Sequence, residues 1–414
     1  MSRSMKYVIA VAAWWLLMLA ASLPPQPAEF RPWDKLFRAD LGHFVPNQRL
    51  ESVEIGELGY KTWVRSLQHP HATIFTTDRF GWRNDGGVDD PKVVLIADSF
   101  MMGSGLSDDD TPAQVMSRLL GQSVVAYGAT PAKYLSEPRF KQTPPPVVVY
   151  APVSRAIRPR SLTYGERPKP DPTPFDGFIE ASRAARSWVN RLNADNRLGR
   201  EMKFAYQGLR YAVFGHERAV RTPGGELALV ISLDQQGLTA PIEERGAKQT
   251  VEMVAKLAEV LAARRTRLVF APIPESGTIY PEIFPEPERA RIVRPSFLDF
   301  VIAQTRTRGV EVVDLRGVFS ANRDPYLYRL DDTHWTPRGA ELASRAISEV
   351  VARLMATKTP TSVPEDRPEG ALLDGVDSGE SSPDVEPNTL RPARSPEHSA
   401  PSRPSTSKPA RSSP

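Results

Sequence analysis

Between residues 91 and 355 the apolar positions fall into two alternating patterns. Short runs rich in β-branched residues occur at Lys92–Ile96, Ser123–Ala126, Val147–Tyr150, Leu268–Ala271 and Val310–Asp314, each long enough for one strand. Between them, apolar residues recur at three- and four-residue spacing. Ala113, Met116, Leu119 and Leu120 set one such stretch, and Pro131–Phe140, Glu243–Ala263, Arg294–Arg306 and Pro337–Leu354 set the others. These predict helices. Strands alternating with helices imply a parallel sheet covered on both faces, so the fold class expected is α/β, a doubly wound three-layer α/β/α sandwich.

Three regions depart from this rhythm. Residues 26–90 carry aromatic and proline punctuation, close on Phe80-Gly81-Trp82-Arg83-Asn84, and read as a leading segment packed onto the main domain. Residues 156–240 read as an insertion into the 91–355 domain: a proline-rich loop, amphipathic helical stretches at Phe178–Leu192 and Met202–Val213, and a hairpin near Leu227–Ile231. In residues 356–414 Pro, Ser, Thr, Asp and Glu dominate and aromatic residues vanish. Such a tail cannot offset its ordering entropy by burial and is expected to be disordered.

At the N-terminus, Arg3 and Lys6 precede an uncharged apolar run from Tyr7 to Leu23, closed by Pro24 and Pro25. A run of about 17 residues is at the short limit for a membrane span. Residues 1–25 therefore read as a signal anchor, or as a signal peptide with Ala20-Ala21-Ser22 at its cleavage site. With the positive flank in the cytoplasm, either reading exports the rest of the chain. The protein is expected to be extracytoplasmic, in the periplasm and held at the inner membrane. The absence of cysteine excludes a disulfide framework, a thiolate nucleophile and a cysteine-ligated metal. The 53 basic and 49 acidic residues are spread along the chain, so the net charge of +4 gives no argument for nucleic acid.

In open parallel sheets ligands gather at the carboxyl ends of the strands, which singles out Ser99, directly after the first strand. A helix opening there would aim a backbone N–H and a positive dipole end at a developing oxyanion. The plainer use of Asp98 or Ser99 is as a helix cap. A serine hydroxyl needs a base, and of six histidines only His334 lies among carboxylates, in Leu330-Asp331-Asp332-Thr333-His334-Trp335 before Pro337 opens the last helix. Carboxylate, imidazole and hydroxyl are the parts of an acyl-transfer triad. The plainer alternative is an Asp/Thr turn capping that helix with His334 exposed. His43, His69, His71, His216 and His398 read as surface or structural. Zinc would find Asp332 and His334 but no third histidine nearby, and Gly103-Ser104-Gly105 lacks the rest of a phosphate-binding glycine pattern. No metal or cofactor is expected.

Ala97-Asp98-Ser99 resembles the Gly-Asp-Ser block of the SGNH (GDSL-type) hydrolases, a flavodoxin-like fold. Asp332-Thr333-His334-Trp335 resembles the Asp-x-His-Trp block of the alginate O-acetyltransferase branch, that of AlgX and AlgJ. The resemblance covers about residues 75–350, the insertion excepted, and includes weaker similarities at Phe80–Arg83, Val153-Ser154-Arg155 and Pro272–Pro281. It implies Ser99 as nucleophile, His334 as general base and then acid, and Asp332 as orienting carboxylate. Asp331 is the alternative, since the esterases place the acid three before the histidine. The oxyanion donors implied are the N–H groups of Ser99 and Gly128, with Asp98, Asp331, Trp335, Arg155 and Arg83 in support. Three features depart from the family: Ala97 stands for the first glycine, Tyr150–Arg155 lacks the esterase asparagine, and the serine precedes the Asp-x-His pair, the reverse of the alginate enzymes. The activity implied is O-acetyl transfer to an exported polysaccharide or cell-envelope glycan, with the acetyl group handed across the membrane by a polytopic partner. An esterase or deacetylase would use the same triad, and the departures also suit a noncatalytic glycan-binding or assembly protein.

Overall fold

The computed structural model describes residues 30–38, 42–84, 86–160, 162 and 197–357, with isolated positions Met5, Val11 and Trp14. The apolar run Tyr7–Leu23, the Phe178–Leu192 stretch and the tail beyond Thr357 lie outside them, except for Val11 and Trp14. No helix among the described residues is long and apolar enough to cross a membrane.

Five parallel strands form the central sheet: β1 (Val93–Ala97), β2 (Val124–Tyr127), β3 (Val147–Ala151), β4 (Arg267–Phe270) and β5 (Glu311–Val312), in the spatial order β5-β4-β3-β1-β2. Side chains alternate across the pleat. Val93 and Leu95 of β1, with Val147 and Val149 of β3, face one core, while Val94, Ile96, Val148 and Tyr150 face the other. Both faces are buried, which is why the strands read as unbroken apolar runs. One core is closed by α2 (Pro112–Leu120), α5 (Leu315–Ala321) and α6 (Pro337–Ala356), the last through Ala340, Ala343, Ile347 and Val351. The other is closed by α3 (Glu244–Ala263) and α4 (Phe297–Thr307), through Val251, Val254, Leu257, Leu261, Leu298 and Ile302. The three-layer α/β/α arrangement is as expected.

The strand order reverses at β1. The chain passes from β1 outward to β2 and then returns to the opposite side of β1 as β3, so the crevice at the carboxyl ends of β1 and β3 is the topological switch point.

The helix expected over Pro131–Phe140 is two, Pro131–Ser136 and Pro138–Gln142. Pro138 lacks an N–H and pushes Glu137 to an extended conformation (φ −65°, ψ 116°) that ends the first. The insertion contributes the helix Arg197–Phe214 and an antiparallel pair, Ala219–Arg221 with Leu227–Leu229. The leading segment holds an antiparallel pair, Arg49–Glu54 with His71–Thr76, joined through the short helix α1 (Glu57–Thr62).

Candidate active site

The backbone leaves β1 at Ala97 and turns at Asp98, whose carboxylate ties the turn down. One oxygen accepts from the Phe100 N–H at 2.9 Å and the other from the Val153 N–H, beyond β3, at 2.6 Å. Burial pushes this carboxyl above the usual range, against the pull of those two N–H donors. The helix expected to open at Ser99 does not form. Residues 99–105 are a run of turns, and the regular helix α2 starts only at Pro112. Gly103 (φ 77°) and Gly105 (φ 74°) take left-handed conformations that no helix accommodates. Ser99 therefore sits on a tight turn rather than at a helix dipole, and neither its N–H nor that of Gly128 donates to an acceptor among the described residues. Gly128, just beyond β2, lies under Met102, whose sulfur would be 3.0 Å from a Cβ placed there.

His334 reaches Ser99 from the far end of the chain. It is 2 % exposed, with its ring centroid 4.6 Å from that of Phe100. Its Nε2 is 2.7 Å from Ser99 Oγ and its Nδ1 is 2.7 Å from Asp332 Oδ1. The exposed-histidine alternative is thereby removed. The loop is closed by the Arg329 N–H donating to the His334 carbonyl at 2.9 Å, and Thr336 caps α6 through the Gly339 N–H. Trp335 is fully buried, edge-on to Phe100 (5.3 Å) and against Phe319, so it is packing behind the histidine.

The two carboxylates have separate surroundings. Asp332 Oδ1 faces His334, while its Oδ2 accepts from the Glu57 N–H at 2.8 Å. Burial alone would raise this carboxyl, but the His334 imidazole and the Glu57 N–H outweigh it and hold it well below the usual carboxylate range. Asp331 makes no contact with His334. Its Oδ2 accepts from the N–H groups of Gly56 (2.8 Å) and His69 (2.9 Å), Arg329 lies 3.4 Å from its other oxygen, and its carbonyl accepts from Gly59. The geometry therefore selects Asp332 over Asp331 as the partner of His334.

Both carboxylates are cradled by the start of α1, in the leading segment, where sequence reasoning singled out only Arg83. The one available signal was the small Gly56 before Glu57, unremarkable without the fold. A Cβ on Gly56 would lie 2.2 Å from the Asp331 carbonyl oxygen. Since that neighbour is backbone, Gly56→Ala is expected to destabilise the protein by about 1–3 kcal/mol, lowering the melting temperature in a thermal scan. The insertion also braces this loop, through the Leu229 N–H donating to the Leu330 carbonyl at 2.7 Å.

Arg155, beyond β3, pairs with the buried Glu275, lies 3.4 Å from Thr333 Oγ1 and stands 5.8 Å over the Phe100 ring, at the rim of the histidine loop. Arg83 is not at the site. Buried at 3 % exposure, it donates to the carbonyls of Ile74, Gly103 and Leu106 and pairs with Asp108, pinning the segment that follows Ser99. Among the described residues no group of three or more His, Asp or Glu stands together as a metal site.

Glu54, 4 % exposed, ends the strand before Gly56. Burial first, and then the Asp332 charge, push its carboxyl above the usual range despite Arg329 and Arg83. A carboxyl that binds its proton more tightly when folded makes stability fall as pH rises from its unfolded value, about 4.3, through the raised folded one. Glu54→Gln removes that slope, so the variant should gain stability relative to the parent as pH rises toward neutrality. Melting temperatures of the pair across that range check it, and a constant difference refutes it.

Comparison with known proteins adds the following. The family model for the SGNH hydrolase-like domain of the acetyltransferase AlgX matches residues 233–407. The match includes Asp332 and His334 but not Ser99, whose place in the site rests on geometry. The chain is 28 % identical over 107 residues to the probable alginate O-acetylase AlgJ of Pseudomonas putida, covering 26 % of this chain and 28 % of that one. To the AlgJ of Pseudomonas aeruginosa it is 32 % identical over 88 residues, covering 21 % and 22 %. To that of Pseudomonas fluorescens it is 29 % identical over 129 residues, covering 31 % and 32 %. The matched part is thus under a third of each relative's length. Among solved structures, a protein of the G-D-S-L lipolytic family from Desulfitobacterium hafniense aligns over 63 % of this chain and 99 % of its own, at 13 % identity and a TM-score of 0.31.

Proposed function

We propose that this chain, which is similar to the SGNH hydrolase-like domain of AlgX and to the AlgJ proteins, is an O-acetyltransferase acting on an exported polysaccharide or cell-envelope glycan. The observation that carries the reading is the unbroken relay from Asp332 Oδ1 through His334 to Ser99 Oγ, with 2.7 Å at each step.

In this reading His334 Nε2 takes the Ser99 proton as Oγ attacks the acetyl carbonyl of the donor. The negative charge that develops on the carbonyl oxygen is met by the N–H groups of Ser99 and Gly128. His334 then passes its proton to the leaving group, and acetyl-Ser99 remains. A sugar hydroxyl enters, gives its proton to His334 and takes the acetyl group, and His334 returns that proton to Oγ as the acetyl–Oγ bond breaks, restoring Ser99. Asp332 holds the imidazole with Nδ1 protonated and stabilises the imidazolium. The charged, apolar and proline-closed start of the chain supports placing the enzyme outside the cytoplasm, anchored to the inner membrane beside a polytopic protein that supplies the acetyl group.

The test is incubation of the full chain with an activated acetyl ester and a panel of oligosaccharides, following sugar acetylation and acetate release together. Sugar acetylation that depends on Ser99 is the expected result. Acetate release without sugar acetylation would make the protein an esterase, because only the hydroxyl that reaches the acyl-enzyme differs. Neither product would remove the enzyme and favour a glycan-binding role.

A further inference from the structure

The loop that follows β3 is tied down on both sides. The Val153 N–H donates to Asp98 Oδ2 at 2.6 Å, and the Ser154 N–H donates at 2.8 Å to the Ile273 carbonyl, beyond β4. Arg155 comes next, within a single turn over Ser154–Ala156. Its guanidinium stands 5.8 Å over the Phe100 ring, and that ring lies 4.6 Å from the His334 imidazole, so the cation flanks the Ser99–His334 pair from a fixed piece of backbone.

Most of this guanidinium's hydrogen-bonding capacity is unspent. Nη1 donates to Oε1 of Glu275, which is 1 % exposed. Nη2 lies 3.4 Å from Thr333 Oγ1, beyond the about 2.7–3.2 Å of an ordinary N–H···O bond, and Nε has no acceptor among the described residues. Nε and Nη2 form one edge of the planar group, a fork of two N–H donors. The side chain is 26 % exposed. Because Glu275 balances the charge, this edge offers a ligand hydrogen-bond direction more than net charge.

Acyl transfer dictates what comes within reach of it. The leaving group takes its proton from His334 Nε2, and the entering hydroxyl gives its proton there, so both lie against the histidine loop, whose Thr333 adjoins Arg155. A sugar carries further oxygens next to the hydroxyl that reacts, and a two-donor edge can take two of them at once. We propose that Arg155 is an acceptor-binding residue, whose Nε and Nη2 donate to two oxygens of the entering sugar while the buried Glu275 holds the guanidinium in place. The proposal rests on the acetyl-transfer reading, because that reading makes the acceptor a sugar.

Two variants of the full chain test it. Arg155→Lys keeps a cation for Glu275 but loses the fork, and Arg155→Gln with Glu275→Gln leaves no buried carboxylate unpaired. With an activated acetyl ester and alginate, cellulose or chitin oligosaccharides, acetylated sugar and acetate are measured together. Both variants should raise the sugar concentration that captures half of the acetyl groups by about tenfold or more, the size expected for hydrogen bonds lost from a charged donor. A disturbed triad would slow both products alike and leave that concentration unchanged, which overturns the proposal, as does full recovery by Arg155→Lys. Calorimetric titration of the same oligosaccharides into Ser99→Ala chains, with and without these changes, removes the chemistry, and Kd should rise by a similar factor. Sugar acetylation by the parent with unaltered capture and binding in the variants refutes the Arg155 contact and leaves the transferase standing. Binding that depends on Arg155, without acetylation by the parent, keeps the contact and removes the transferase. If the parent neither binds nor acetylates any of the three oligosaccharides, both fall.

Discussion

Ser99→Ala is expected to abolish acyl-enzyme formation and to lower turnover by on the order of 10⁴-fold or more, leaving what binding and the oxyanion donors supply alone. Intact-mass spectrometry after mixing with an activated acetyl ester should show one added acetyl group on the parent and none on the variant. The fold should survive, because the change removes one side-chain hydrogen bond, to His334 Nε2, from a turn held independently by Asp98 through Phe100 and Val153. A melting temperature near the parent's would therefore accompany the loss. Acetylation of the alanine variant at the parental rate would place the nucleophile elsewhere.

Asp332→Asn and Asp331→Asn should fail in different ways. At 332 the amide removes the charge facing Nδ1 and can present an NH₂ there, favouring the tautomer with its proton on Nε2, where it cannot accept from Ser99. A loss of about 10³- to 10⁴-fold in kcat is expected. At 331 the carboxylate accepts two backbone N–H groups and faces Arg329 without touching the imidazole. Its amide turns an NH₂ toward the guanidinium, which should cost about 1–3 kcal/mol of stability with little change in kcat of the folded enzyme. Measuring kcat and melting temperature on both variants separates the two roles, and the opposite pattern would hand the orienting role to Asp331.

The main domain was legible because its strands are buried on both faces and its long helices bury one stripe, so period and run length carry the information. The break at Pro138 was misread, since an apolar spacing that continues across a proline hides the lost N–H. At the site, Ser99 and His334 could be picked out by residue type and by position after strands. The helix expected at Ser99 fails for a reason also present in the sequence, Gly103 and Gly105, whose left-handed backbone leaves Thr111 and Arg329 close to where a Cβ would stand, a crowding that no local pattern displays.

The sequence by itself determined the order of strands and helices, the serine after the first strand and the Asp-Asp-Thr-His-Trp loop before the last helix, because these follow from local periodicity, capping and residue chemistry. The tertiary structure decided the rest. It put β1 at the switch point, brought residues 99 and 334 within hydrogen-bond reach, and gave Asp332 to the histidine and Asp331 to the backbone of Gly56 and His69. Two neighbouring carboxylates are chemically alike in a sequence. They differ only in which groups the folded chain points at each, and the backbone donors among them come from a segment 262 to 275 residues away.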